Sequence, residues 1–329
     1  MAKLTRLTLF LALPLGSFAA DPALLQMIMP DAQVVAGLQV TQAKNSEFGQ
    51  YVLAHLSVNN TQLNAFVSET GFDPRQDVSE VVIAGITSSA AGTSNRFLIL
   101  ADGMFNVAKI TATAQSNGAA ASAYQSVNLL TFAASGKSQQ QTAIAFLSPS
   151  IALAGDLASV EGAIDRKQSN ASTDGTVFAN IQQVSANNDF WFVTLVPLSN
   201  FANVIPEQNL SGAMQGNLFA AINQTSGGIH FGDTVTISAQ AVTRSEKDAQ
   251  ALVDVVKFFA GLVQMNKSQN ATAGQVSTLL DSLQATASGN TTTISLAIPE
   301  QQLEQLLNSA QQSKPHVRRA VLRQQQQAN

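Results

Sequence analysis

No cysteine occurs anywhere in the 329 residues of this chain, and that absence constrains its fold more than any other feature. Disulfides, thiolate metal sites and cysteine nucleophiles are excluded together. Whatever holds the chain must come from packing. Its length allows this, because chains of this size bury a large share of their surface, and a hydrophobic content of 45% is enough to fill a core. The length suits one large domain or roughly two average ones. Charged residues make up 12%, about half the usual share of roughly 25%, so Ser, Thr, Asn and Gln must wet the surface. A formal net charge of −4, with no basic stripe interleaved with aromatics, argues against a nucleic-acid partner.

The first nineteen residues read as an export leader. Lys3 and Arg6 form a positive start, Leu7 to Leu15 is an apolar stretch too short to span a bilayer, and Ser17-Phe18-Ala19 offers small residues where a leader peptidase reads. Cleavage is expected after Ala19, with Asp21-Pro22 opening the mature chain. No cysteine follows the apolar stretch, so a lipid anchor is not expected. Later apolar runs are short, and no transmembrane segment is expected after cleavage. The implied location is periplasmic or secreted. An exported chain without disulfides must rest on its core alone.

Periodicity and punctuation predict an α+β fold made of two tandem similar units, each a mostly antiparallel sheet covered by helices. Unit 1 covers 20–170 and unit 2 covers 171–310, with a polar boundary at Gln168 to Gly175 and a disordered polar tail over 311–329. In unit 1, strands are expected over Ala32–Val40, Val78–Ile86, Arg96–Ala101, Tyr124–Phe132, Thr142–Leu147 and Ile151–Ala154. Helices are expected over residues 22–29, Glu47–Leu56, Leu63–Ser68 and Phe105–Gln115, with a turn at Phe72-Asp73-Pro74. A further helix is capped by Asp156 and runs to Lys167. In unit 2, Phe190–Val196 is an unbroken apolar run, which suggests a strand buried on both faces. Short helices are expected near Phe201 and Leu218. Gly232-Asp233 reads as a two-residue hairpin turn with Gly at a positive-φ position. Ser245 to Asp248 resembles a capping box that opens a helix whose buried face is Ala249, Leu252, Val253, Val256, Phe259 and Val263. Gly289-Asn290 reads as a second hairpin turn, and Pro299 starts a final helix with Leu303, Leu306, Leu307 and Ala310 inward. Both units read strand, helices, strand pair, helix, strand pair, helix, at an offset of about 150 residues.

The residues that could carry chemistry are few. His55, His230 and His316 sit at no metal-ligand spacing, and no Gly-x-Ser-x-Gly elbow is present. Ser135-Gly136-Lys137-Ser138 has the end of a phosphate loop, but Thr131 stands where the first glycine belongs, so it reads as a hairpin loop. Paired carboxylates need no motif, and Asp73, Asp77 and Glu80, or Asp156 and Glu161, are the candidates. Each has a simpler structural reading: Asp73 in a turn before Pro74, Asp156 as a helix cap. Trp191, between Phe190 and Phe192, is a stacking platform or, more simply, core. The helix from Ser245 to Val263 carries Lys247, Asp254 and Lys257 on its exposed side, a mixed face unlike that of a membrane-surface helix. Lys314, Arg318, Arg319 and Arg323 in the tail would suit an anionic lipid or wall polymer only thinly, since no hydrophobic anchor accompanies them.

Three segments, Met29 to Gly37 with Phe48-Gly49-Gln50, Thr70-Gly71-Phe72-Asp73-Pro74, and Ser245 to Phe259, together resemble a family of exported bacterial proteins of unknown function. In that family a Pro-Asp-Ala triplet precedes a hydrophobic strand and a Thr-Gly-Phe-Asp-Pro turn precedes a strand pair. The resemblance implies fold and export, and brings no catalytic residues with it. The expectation is therefore a non-enzymatic envelope protein that binds or scaffolds an unidentified ligand or envelope partner through its sheet faces or the groove between its units, with no cofactor. The alternatives are a hydrolase using Asp73 and Asp77 on an envelope or extracellular polymer, and a structural, self-assembling envelope component.

Overall fold

The structure is a computed structural model; it describes residues 19–55, 61–86, 95–134, 140–170, 175–198, 220–265, 274 and 277–305. The first half contains α1 (Pro22–Leu25), β1 (Val34–Gln39), α2 (Val40–Asn45), α3 (Glu47–His55), α4 (Thr61–Thr70) and α5 (Pro74–Asp77). It continues with β2 (Val78–Ile86), β3 (Arg96–Gly103), α6 (Val107–Ser116), β4 (Ala120–Tyr124), β5 (Val127–Phe132), β6 (Thr142–Phe146), β7 (Ile151–Asp156) and α7 (Leu157–Gln168). The second half contains α8 (Gly175–Ser185), β8 (Phe190–Thr194), β9 (Ile222–His230), β10 (Thr234–Thr243), α9 (Glu246–Met265), β11 (Gln284–Ser288) and β12 (Thr291–Pro299), followed by a helical turn over 300–305. The mixed helix-and-strand class expected from periodicity is the class observed.

The twelve strands among the described residues join one sheet, in the order β11-β12-β10-β9-β8-β1-β2-β3-β7-β6-β5-β4, and the pairings are antiparallel. The halves meet where β1 pairs with β8, Ala36 opposite Phe192 and Gly37 opposite Trp191. Outward from this seam the first half runs β1-β2-β3-β7-β6 and ends in the hairpin β5-β4, while the second runs β8-β9-β10-β12-β11.

Strand alternation sends successive side chains to opposite faces. On one face Val35, Val82, Leu98, Leu100, Leu153, Trp191 and Val193 form the main core with α1, α7 and α8. On the other, Val40, Val78, Phe105 and Ile110 pack with Phe66, Phe72 and Phe146. The same face carries α9 over the far strands, where Thr292 Oγ1 donates to the Ala249 carbonyl at 2.8 Å and Ala241 and Ala285 are buried. Among the described residues no helix is long and apolar enough to cross a membrane.

Several expectations need correction. The strand expected over Tyr124–Phe132 is a hairpin, β4 and β5, because Gln125 and Ser126 adopt positive φ (45° and 66°) and turn the chain without the Gly or Asn that usually signals it. Val40 starts α2 instead of ending β1. Phe72-Asp73-Pro74 leads into α5, whose first turn Asp73 caps by accepting from Arg75 N at 3.0 Å. Gly232 lies in a three-residue loop, Phe231 to Asp233, and is not among the positive-φ glycines, whereas Gly289 is, at 55°. β8 is not buried on both faces: Trp191 and Val193 are fully buried, but Phe190 is 36% exposed. On α9 only Ala249 and Val253 of the expected stripe are buried, and Phe259 is 41% exposed. Helix α8 falls where the sequence reading places no element; it buries Ile181 and Ser185 and packs against β8 and β9. The expected helices near Phe201 and Leu218, the Ser135 to Ser138 loop, the leader through Phe18 and the tail from 311 lie outside the described residues.

Candidate functional site

A polar cleft lies between the halves. It begins at a sharp break between α2 and α3. Ser46 Oγ accepts from Gly49 N at 3.2 Å, capping α3, and a Cβ on Gly49 would stand 2.2 Å from the Ala43 carbonyl oxygen. Only glycine lets α3 fold back so closely. The break presents Gln42, Asn45 and Glu47 to a cavity of about 610 Å³. Its opposite wall comes from the second half: the loop Phe231 to Asp233 and the end of β12, Pro299 to Gln301.

Two contacts tie the walls together. The Phe48 amide donates to Glu300 Oε1 across the halves, and the Phe48 ring meets Phe231 edge-on at 5.8 Å while stacking on Tyr51. On the second-half side Glu300 N donates to the Asp233 carbonyl at 3.1 Å. The lining is rich in carboxylates, Glu47, Asp233 and Glu300, with amides between them. None of the ion pairs among the described residues involves these three. The nearest lysine in sequence, Lys44, spends its ammonium on the carbonyls of Gln76 and Val78 at 2.7 and 3.2 Å. The cavity is thus a negatively charged, hydrogen-bonding space with an aromatic edge.

Next to it stands the one histidine with a carboxylate partner among the described residues. Asp189 Oδ2 lies 3.0 Å from His230 Nδ1 and also accepts from Phe231 N at 2.6 Å. The carboxylate is largely buried and the imidazole half exposed, so the pair orients the ring by Nδ1 and leaves Nε2 toward Gly232.

The carboxylates singled out from sequence are mostly occupied. Arg75 donates to both Asp73 oxygens, at 2.8 and 2.6 Å, and this hydrogen bonding holds the Asp73 carboxyl below the usual carboxylate range. Asp77 accepts from Asp73 N at 2.8 Å and lines a second, more apolar cavity of about 710 Å³ with Phe72, Met104 and Phe105. Asp156 is buried, accepting from Ser159 N at 3.0 Å as the cap of α7 and from Phe97 N at 2.9 Å. Glu161 lies half-buried on α7. Glu80 is buried and pushed up to about 7, chiefly by desolvation. His55 ends α3, and His316 lies outside the described residues. Trp191 is fully buried, so it belongs to the core. Among the described residues no group of three His, Asp or Glu is placed to hold a metal ion.

Sequence reasoning did not find Glu47, Asp233, Glu300 or Asp189. They are scattered along the chain and meet only through the sheet order, so no local spacing could have signalled them. Comparison with known proteins finds no matching family model, no matching curated protein and no matching solved structure.

Proposed function

We propose that this is an exported, non-enzymatic binding protein of the cell envelope, built from a duplicated α+β unit, whose ligand enters the cleft between the halves. The observation that carries the reading is the cavity of about 610 Å³ walled by α2–α3 on one side and by the β9–β10 loop and β12 on the other. Clefts between units are a common place for ligand sites. The duplication is supported by element order: β1, β2, β3, α6, β6, β7 in one half and β8, β9, β10, α9, β11, β12 in the other occupy corresponding places outward from the seam. The hairpin β4–β5 is the addition in the first half. Export is supported by the leader-like first nineteen residues and by the resemblance of three segments to exported proteins.

The lining indicates the ligand's chemistry. Three carboxylates without cationic partners favour a positively charged, hydrogen-bonding ligand, and the Phe231 side chain adds an apolar contact. A thermal-unfolding screen would compare polyamines and Lys- or Arg-containing peptides with neutral oligosaccharides. A ligand at a hundred times its Kd adds about 2.7 kcal/mol to stability, so a cationic ligand raises Tm in the native chain and fails to do so in Glu47→Gln/Asp233→Asn. No shift from any cationic probe, or an equal shift in the double variant, overturns the reading.

A hydrolytic second reading has one observation in its favour, the Asp189–His230 pair beside the cleft, since a carboxylate-oriented imidazole is the arrangement of a general base. It predicts hydrolysis of a glycan or peptide panel that His230→Asn abolishes; absence of turnover on every substrate removes it.

A further inference from the structure

The segment that follows the expected cleavage point is not a loose terminus. Ala20 is 0% exposed. Its amide nitrogen donates to Ser185 Oγ on α8 at 2.9 Å, and its carbonyl accepts from Gln182 Nε2 at 2.7 Å. One residue on, Asp21 N donates to both carboxylate oxygens of Glu80, at 3.2 Å each, and the Asp21 side chain caps α1 at Ala23 N, 2.8 Å away. Leu24, Leu25 and Met27 then enter the main core, and Arg166 on α7 donates to the Met27 carbonyl at 3.1 and 2.9 Å. The backbone from Ala20 to Met27 is thus placed by the fold.

Glu80 sits in this pocket in unusual company. Its cross-strand neighbours are Gln39 on β1 and Asp102 on β3. Gln39 hydrogen-bonds it, and the charges that bear on it, Asp21 and Asp102, are both negative. Glu80, a buried residue at 6% exposure, receives an amide N–H but faces only like charge and lacks a counter-ion. Consecutive backbone nitrogens lie no more than about 3.7 Å apart, so Ala20 N stands within about 7 Å of the Glu80 oxygens.

We infer that the α-ammonium of Ala20, freed when the leader is removed, is the built-in counter-ion of Glu80, so that leader removal completes the fold of the first half around its own new terminus. The inference rests on the export reading. The chemistry is hydrolysis of the Ala19–Ala20 peptide by a host leader peptidase: one water is consumed, the leader departs with a carboxylate on Ala19, and Ala20 keeps a protonated amine. Cleavage acts on the unfolded, translocating chain, because in the folded chain Ala20 is buried with its amide and carbonyl both bonded. The single N–H of the peptide already serves Ser185; the ammonium supplies two further donors and a positive charge, and Glu80 is a buried carboxylate within reach that faces no cation. An opposite charge within about 4–6 Å draws a buried carboxyl to its ionised form.

The test is expression of the full chain with its leader in a bacterial host, followed by intact mass and unfolding of the exported product. The expected product begins at Ala20. Its α-amine reacts with an acylating reagent at neutral pH at least tenfold more slowly in the folded than in the urea-unfolded protein. A second precursor carries one Gly inserted between Ala19 and Ala20, so that processing leaves the ammonium one residue out of place; its product unfolds at least about 5 °C lower, and in a Glu80→Gln background the difference shrinks below about 2 °C. A product retaining Met1 defeats the export reading and this inference together. A product beginning at Ala20 whose amine reacts as fast folded as unfolded defeats the inference alone. So does a Gly-inserted product with unchanged Tm, or one whose loss persists in Glu80→Gln. Should the Gly-inserted chain fail to accumulate, the labelling rate of the native product decides by itself.

Discussion

On the face covered by α1, α7 and α8, the first half presents Val82, Leu98, Leu100 and Leu153, all buried. Corresponding strands of the second half present Ser238 and Gln240 on β10 and Thr293 and Ser295 on β12, half-buried or exposed. The strand order outward from the seam is shared, yet the first half is sealed on this face while β10 and β12 of the second are wet. The second half instead buries its opposite face under α9, through Ala241, Ala249, Val253 and Ala285. Sheet order therefore does not dictate which face is covered. Strand composition does: the run Phe97-Leu98-Ile99-Leu100 can be buried on one side and half-covered on the other, while the alternation of Val235, Ile237, Ala239 and Ala241 with Thr, Ser and Gln permits one dry face only.

The comparison breaks most decisively at the sealed core. Leu100→Ala removes a fully buried side chain and is expected to cost about 2–5 kcal/mol. Ser238→Ala, at a corresponding place in the second half, gives up one hydrogen bond to Asn188 at 3.1 Å and costs about 1 kcal/mol. Urea unfolding with an unchanged slope measures both; equal losses would mean that the wet face carries as much stability as the dry one.

The pH dependence of stability sharpens it next, because Glu80 belongs to the sealed half. In a chain still joined to its leader the folded state holds the Glu80 proton up to about 7, whereas the unfolded chain releases it near the usual 4.5. Between these values the unfolded state binds fewer protons, so stability is fully present below about pH 4.5 and falls as pH rises through 7. The loss is at most about 3 kcal/mol. Glu80→Gln removes the Glu80 share of the slope. Asp102, also raised chiefly by desolvation, pushes in the same direction and persists in that variant. A stability that rises over this interval would contradict the burial of an uncompensated Glu80.

The seam itself is tested by Gly37→Ala. An added Cβ would stand 2.4 to 2.7 Å from the Trp191 indole, and that indole is fully buried, so either β1 or the ring must move. The expected loss is about 1–3 kcal/mol, accompanied by a change in tryptophan fluorescence, since Trp191 is the only one in the chain. A stability loss with unchanged emission would place the strain elsewhere than between the halves.

Much of the architecture is legible in the residues. Val78–Ile86 is a strand with the expected bounds, Asp156 caps α7, and Ser245 accepts from Asp248 N at 3.2 Å to open α9. These features are written locally, in periodicity and in a side chain that bonds its own backbone. What local patterns do not write is missed for a physical reason. Gln125 and Ser126 form a turn because the β4–β5 pairing holds them in it. Asp189 meets His230 because β8 and β9 are neighbours, and Glu300 meets Phe48 across 252 residues. The cleft was expected as a place, a groove between two units, but its residues depend on which strand ends and loops the sheet brings together.

The smallest effect separates the halves most cleanly. Gly261 lies inside α9 with nothing within 4 Å of an added Cβ. Gly261→Ala therefore gains helix propensity without a clash and should stabilise by about 0.5–1 kcal/mol. The gain acts where α9 is least anchored, beside the exposed Phe258 and Leu262. If the two halves unfold as one cooperative unit through the β1–β8 pairing, this gain raises the single midpoint seen by every probe. If the second half opens by itself, the gain appears only in the hydrogen exchange of α9, β11 and β12, and the exchange of β2, β3 and β7 stays where it was. The first outcome makes the seam as strong as the core it joins; the second makes the wet half a separately opening lobe, with its side of the cleft moving as it opens.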